Sequence, residues 1–307
     1  MPQHCSRLTK LSAIFILLFY ADAIFSQPAN SAATDAFIIT RMVDKFHVQP
    51  RTLNDSLSAD FFNQFLEQLD EDHIYFNKED VNQFSAYKLQ LDDEIKQKKN
   101  DFLKLVISVY SKRLQQADTM IDNIAQKHFN YLLPEKFTVA EDSSYPADIA
   151  SMHNKLYKKM KLDVLNDLLE LNDNISQKNT ARLKQILDSA QTVFQKKTES
   201  VYKRNIARIT QAPGGVEQFV ANEYCKALAV CFDPHTEFFP LTEEENFESE
   251  LGNQRFRFGF AIKEDDAGGV LINGLEPGSP AFKCGVLNKG DKFQTLQWEG
   301  QSAIDVS

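Results

Sequence analysis

A chain of 307 residues with 43% hydrophobic content is long enough to bury real cores, and typical domain sizes divide it into about two domains. Disorder is thereby excluded as the default state. Charged residues make up 25% and the formal net charge is −9, which argues against non-specific binding to nucleic acid or to anionic lipid.

At the N-terminus Arg7 and Lys10 precede an apolar run from Leu11 to Tyr20, and small and polar residues follow through Ala29. This reads as a secretory signal peptide spanning residues 1–26, with cleavage fitting after Ala23 or after Ser26. The apolar run is about half of the ~20 residues a membrane-spanning helix needs, so no stable anchor is expected and the chain is read as exported, to the periplasm. Of four cysteines, Cys5 leaves with the leader; Cys225, Cys231 and Cys284 remain, and an odd count leaves at least one thiol free in an oxidising compartment. Cys225 and Cys231 sit about 120° apart around a helix axis, which suits neither a mutual disulfide nor, with His235, a four-ligand zinc site. No metal or other cofactor is expected.

From about Thr34 to Phe232 the periodicity is helical. Ser58 is a candidate cap for a helix with Phe61, Phe62, Phe65, Leu66 and Leu69 on one face, ended by Asp70-Glu71-Asp72. Asn77 is a plausible cap for the next, with Glu79 and Asp80 in its first turn and a stripe of Val81, Phe84, Tyr87, Leu91 and Ile95. A third helix or helix pair carries Phe102, Val106, Val109, Leu114, Ile121, Ile124 and Phe129 before Pro134. Helical sequence resumes from Pro146 to about Thr210. Lysine-rich patches at Lys158-Lys159-Lys161 and Lys196-Lys197 read as solvated faces.

Pro213-Gly214-Gly215 breaks the pattern, and Val216 to Cys231 reads as a helix ended by Asp233-Pro234. Thr242 and Glu245 have the spacing of a capping box for a short helix. Beyond Leu251 glycine becomes frequent and strand-like runs appear at Phe256–Ile262, Gly269–Leu275 and Lys292–Trp298. The expected architecture is α+β: a mostly helical region over 27–246 and a small β-rich region over 247–307.

Two stretches carry a family resemblance. Pro277-Gly278-Ser279-Pro280-Ala281, Gly285-Val286-Leu287 and Gly290-Asp291-Lys292-Phe293, preceded by Val270-Leu271-Ile272, resemble the middle of a PDZ domain. Asp233-Pro234-His235-Thr236 with Phe238-Phe239-Pro240 resembles the linker of carboxy-terminal processing proteases, and the segment from Leu57 to Phe84 is similar to the helical front of their tail-specific branch. The resemblance implies an exported serine endopeptidase that recognises protein or peptide C-termini. It places the terminal carboxylate on the loop Arg257, Phe258, Gly259 and Phe260, where a glycine between apolar residues lets backbone amides approach an anion beside a sheet edge. Phe258 and Phe260 either shape the pocket for the last side chain or pack inward. It also implies a PDZ domain continued by a helix and a strand, and a further domain with a serine nucleophile and a lysine base, whereas this sequence reaches only Ile304-Asp305-Val306-Ser307. No catalytic residue is therefore assigned in this chain. His235 is read as a structural linker residue, since no Gly-x-Ser-x-Gly elbow accompanies it. The alternative is a standalone, non-enzymatic peptide-binding or scaffold protein.

Overall fold

The computed structural model describes residues 28–131, 133, 135–136, 144–170, 180–240, 258–265, 269–297 and 303–305. These hold nine helices: α1 (Pro28–Phe46), α2 (Asp55–Leu69), α3 (Lys78–Ser85), α4 (Leu91–Gln97), α5 (Asp101–Ala125), α6 (Ile149–Glu170), α7 (Thr180–Thr210), α8 (Gly215–Phe232) and α9 (Pro280–Cys284). Four strands lie near the end of the chain: β1 (Phe260–Glu264), β2 (Val270–Leu275), β3 (Thr295–Leu296) and β4 (Ile304–Asp305). The α+β architecture expected from the periodicity is the one observed. The expected leader, Pro134 and the expected Thr242–Glu245 capping box lie outside the described residues. Among the described residues no helix is long and apolar enough to cross a membrane.

The chain divides into two compact units. The first combines residues from 28–69, 86–107 and 217–238. Its core is aromatic: Phe61 and Phe65 of α2 meet Tyr224 of α8 at ring-centroid distances of 4.8 and 5.4 Å, and Phe65 meets Phe102 at 5.8 Å. The predicted face of α2 is buried at Phe61, Phe62, Phe65, Leu66 and Leu69. Its cap is Asn54, whose Oδ1 accepts from the Leu57 amide. Ser58 does something else. It sits inside α2, donates to Asp92 Oδ1 at 2.9 Å and accepts from the Asp92 amide at 2.8 Å, so it serves the first turn of α4, whose own N-cap Gln90 makes no side-chain cap bond.

The stripe read as one helix from Asn77 is two helices, α3 and α4, separated by a turn between Ser85 and Leu91. Asn77 does cap α3: its Oδ1 accepts from the Asp80 amide, and Asp80 Oδ2 accepts from the Asn77 amide, the reciprocal pattern that satisfies two orphan donors. Lys98 ends α4 in the left-handed region at φ 54° without being glycine.

The second unit holds 70–85, 108–216 and the described residues after 239. Phe76 packs on Phe84 and Tyr110 at 5.3 and 5.4 Å. Helices α6 and α7 run antiparallel: the Tyr202 hydroxyl donates to Asp163 at 2.7 Å and Lys197 reaches Asp167 at 3.2 Å. The patch at Lys158-Lys159-Lys161 is not uniformly solvated, because Lys161 is buried and donates to Asn130 O and Glu135 Oε2, each at 2.6 Å.

The strands β1 and β2 pair antiparallel, with a register slip between Ala261 and Ile262. The segment 290–293 runs along the other edge of β2, with Gly290 donating to Ile272 O and Phe293 to Val270 O, each at 2.8 Å. The expected strand from Lys292 is thus a bridge at Lys292 followed by the two-residue β3, which pairs with β4.

Candidate peptide-binding site

The loop ahead of β1 is held by the turn that starts α9. Phe258 O accepts from the Ala281 amide at 2.8 Å, and Gly259 O accepts from the Glu276 amide at 2.8 Å and from Ser279 Oγ at 3.2 Å. No peptide bond among the described residues is cis, so each N–H points opposite its carbonyl. With both carbonyls turned into residues 276–281, the amides of Gly259 and Phe260 point away from that turn.

The ladder agrees with this. Phe260 faces Leu275, and the flanking Gly259–Glu276 bond makes this a pair that exchanges no hydrogen bonds, so the polar groups of Phe260 face away from β2. Among the described residues no strand covers that edge. The other four residues of β1 are exposed, and between β1 and β2 Asp265 Oδ1 accepts from the Gly269 amide at 2.7 Å.

Gly259 adopts φ +80°, and a Cβ built on it falls 2.0 Å from Ser279 Cβ and 2.4 Å from Ser279 Oγ. Only glycine fits, on both conformational and steric grounds. Phe258 is 76% exposed and stacks on Phe260 with centroids 5.7 Å apart, while Phe260 leans on Phe293 at 5.5 Å. Phe258 therefore does not pack inward, whereas Phe260 is half-buried. The structure brings Phe258, Gly259 and Phe260 together; Arg257 lies outside the described residues.

Ser279 is the residue that sequence reading left aside. Its Oγ caps α9 by accepting from the Phe282 amide at 3.2 Å and also donates to Gly259 O. The Ser-Pro pair at a helix start is legible as a cap, but its reach to Gly259, twenty positions earlier, is not.

At the other stretch that carried the resemblance, Asp233 joins two histidines by different groups. His47 Nε2 lies 3.0 Å from Asp233 Oδ2, while it is the backbone amide of His235 that donates to Asp233 Oδ1 at 2.7 Å. Both contacts hold the Asp233 carboxyl below its ordinary range, the His235 amide most. The arrangement ties the end of α8 to the residues after α1 within the first unit.

The family model described as the tail specific protease N-terminal domain matches residues 38–241. The chain is also similar to the tail-specific protease of Haemophilus influenzae, with 23% identity over 282 residues. That match covers 92% of this chain and 36% of the relative, so the chain spans about a third of its length.

Proposed function

Because the chain belongs to the tail-specific protease family, we propose that it is the substrate-handling front of an exported serine endopeptidase that recognises protein C-termini at the Phe258–Phe260 loop. The observation that carries this reading is the loop geometry: two carbonyls clamped by the Ser279 turn leave consecutive amides directed toward a strand edge that no described strand covers. Such amides suit a terminal carboxylate, and the edge suits an extended peptide. The exposed Phe258 ring supplies an apolar contact for the last side chains. The resemblance implies a serine nucleophile and a lysine base for the chemistry, and we assign neither to these 307 residues. Export rests on Arg7, Lys10 and the apolar run to Tyr20; a mature N-terminus between Ile24 and Ala29 by mass spectrometry supports it, and an intact Met1 in a membrane fraction overturns it.

The test of recognition compares one peptide with an apolar C-terminus as free acid and as amide. Charge-assisted hydrogen bonds contribute roughly 1.5–3 kcal/mol, so the amide should bind about tenfold more weakly or worse. Equal affinity for the two forms removes the loop from the reading.

A further inference from the structure

One face of α6 changes character along its length. Lys155, Lys158, Leu162 and Leu165 follow each other at helical spacings of three and four residues and line two adjoining cavities. The first, of about 320 Å³, is walled by Lys78, Lys136, Lys155 and Lys158, with Ser151 and Asn154 adding polar groups. The second, of about 210 Å³, shares Lys136 and Lys158 and continues into Leu133, Leu162 and Leu165.

Among the described residues the acids close to this groove are engaged. Glu135 holds Lys161 at 2.6 Å, and Asp148 accepts from the Ser151 amide at 2.8 Å. Buried Asp70 feels the charge of Lys155. Among the described residues Lys78, Lys136, Lys155 and Lys158 form no ion pair, and Lys158 makes only a 3.4 Å contact to the Lys136 carbonyl. A chain of net charge −9 therefore concentrates four ammonium groups in one concave place, none in an ion pair among the described residues and only Lys155 acting on a buried acid, Asp70, which focuses field lines toward negative groups.

We propose that this groove binds acidic stretches of extended polypeptide in which carboxylates alternate with apolar side chains. Charge complementarity selects the carboxylates, since the net acidic remainder of the molecule repels them. Lysines act as point charges and do not impose the forked geometry with which arginine selects phosphate. The leucine-lined cavity beyond Lys136 and Lys158 takes the apolar side chain that follows, as alternation along an extended chain presents it. The groove shares no lining residue with the Phe258–Phe260 loop and uses no terminal carboxylate.

The probe is a fluorescent peptide alternating glutamate and leucine, blocked at both ends, titrated into the full chain at low salt with anisotropy as readout. Blocking its C-terminus keeps it off the loop, so failure here leaves the recognition of C-termini untouched. Lys136→Gln with Lys158→Gln should weaken binding about tenfold, while Lys104→Gln with Lys112→Gln, exposed on α5, should change it less than about twofold. Lys155 is kept because its charge acts on Asp70. Circular dichroism confirms that both double variants fold. Equal losses in the two variants reduce the effect to overall charge and overturn the proposal. So does equal binding of the glutamine–leucine peptide. Full displacement by inorganic pyrophosphate at the peptide's own concentration reassigns the groove to small phosphate anions and likewise overturns it.

Discussion

Asp80 and Arg113 form a two-pronged buried pair, Nε to Oδ2 and Nη2 to Oδ1, each at 2.8 Å. The side chains are only 7% and 9% exposed, so each charge depends on the other. Arg113→Ala leaves a buried carboxylate that also caps α3, and should cost about 3–5 kcal/mol in urea unfolding. Replacing the pair together by Asp80→Leu and Arg113→Met should cost clearly less than the sum of the single changes. Additive losses would show that the pair is not coupled.

Asp70 carries a pH signature. Its carboxyl accepts from the Ile74, Tyr75 and Phe76 amides, which favour the charged form, yet burial dominates and pushes it from 3.8 up to about 7, against the opposing pull of Lys155. Between those values the folded chain keeps a proton that the unfolded chain has released. Its contribution to stability therefore falls as pH rises through that window and levels above it. Urea titrations of the native chain and of Asp70→Asn at about pH 4.5 and about pH 7.5 should show the native chain relatively more stable at the lower value. A constant difference would mean that Asp70 stays ionised on its three donors.

The Gly259–Ser279 contact predicts a hierarchy. Ser279→Ala removes the cap of α9 and should cost about 1 kcal/mol. Gly259→Ala should cost more, because its Cβ strikes Ser279 and the left-handed backbone disfavours it by roughly 1–2 kcal/mol. Combining Gly259→Ala with Ser279→Gly should recover the steric part alone. Hydrogen exchange of the Ala281 amide, which donates to Phe258 O, reads this locally; indifference of that amide to all three changes would refute the clamp. A bulky residue at 259 thus breaks the loop before it can report on peptide binding, which is why the acid–amide comparison is the cleaner experiment.

Thiol reactivity should separate the three described cysteines. Cys284 is exposed, and the amides of Val286 and Leu287 hold its thiol below the usual value. Cys225 and Cys231 are buried, and burial pushes the first well up and the second to about 11. Iodoacetamide should label Cys284 in the native chain and the other two only in denaturant, because the thiolate is the nucleophile. Peptide mapping that finds native Cys225 labelled as fast as Cys284 contradicts this.

What was legible in the sequence follows the reach of each interaction. The face of α2, the Asn77–Asp80 box and the break at Gly215 are written within a few residues, where helical periodicity and capping chemistry operate. Ser58 was misread because its partner Asp92 lies 34 positions away, and a serine before an apolar run looks the same whether it caps its own helix or another. The turn dividing α3 from α4 contains neither proline nor glycine, and Lys98 takes a backbone conformation that glycine usually signals. In the candidate site the pattern around Gly259 is local, but the reason nothing else fits there, Ser279, is a contact between distant turns. In the sequence Asp70 is a helix terminator, and only the fold reveals a buried carboxyl that accepts from three amides.

The first unit is closed by α8, whose Tyr224 fills the gap between Phe61 and Phe65, and whose Cys225 meets the Ala32 carbonyl 193 residues back along the chain. A chain made from its N-terminus thus has α1 and α2 ready long before their partner exists. While α8 is still being synthesised, the alanine face of α1 and the phenylalanines of α2 have nothing native to cover them. Closing so long a loop is slow, and apolar surface waiting that long invites aggregation. Such a chain gains from a holding chaperone until Phe232, at the end of α8, has emerged, the stage at which this core first becomes possible.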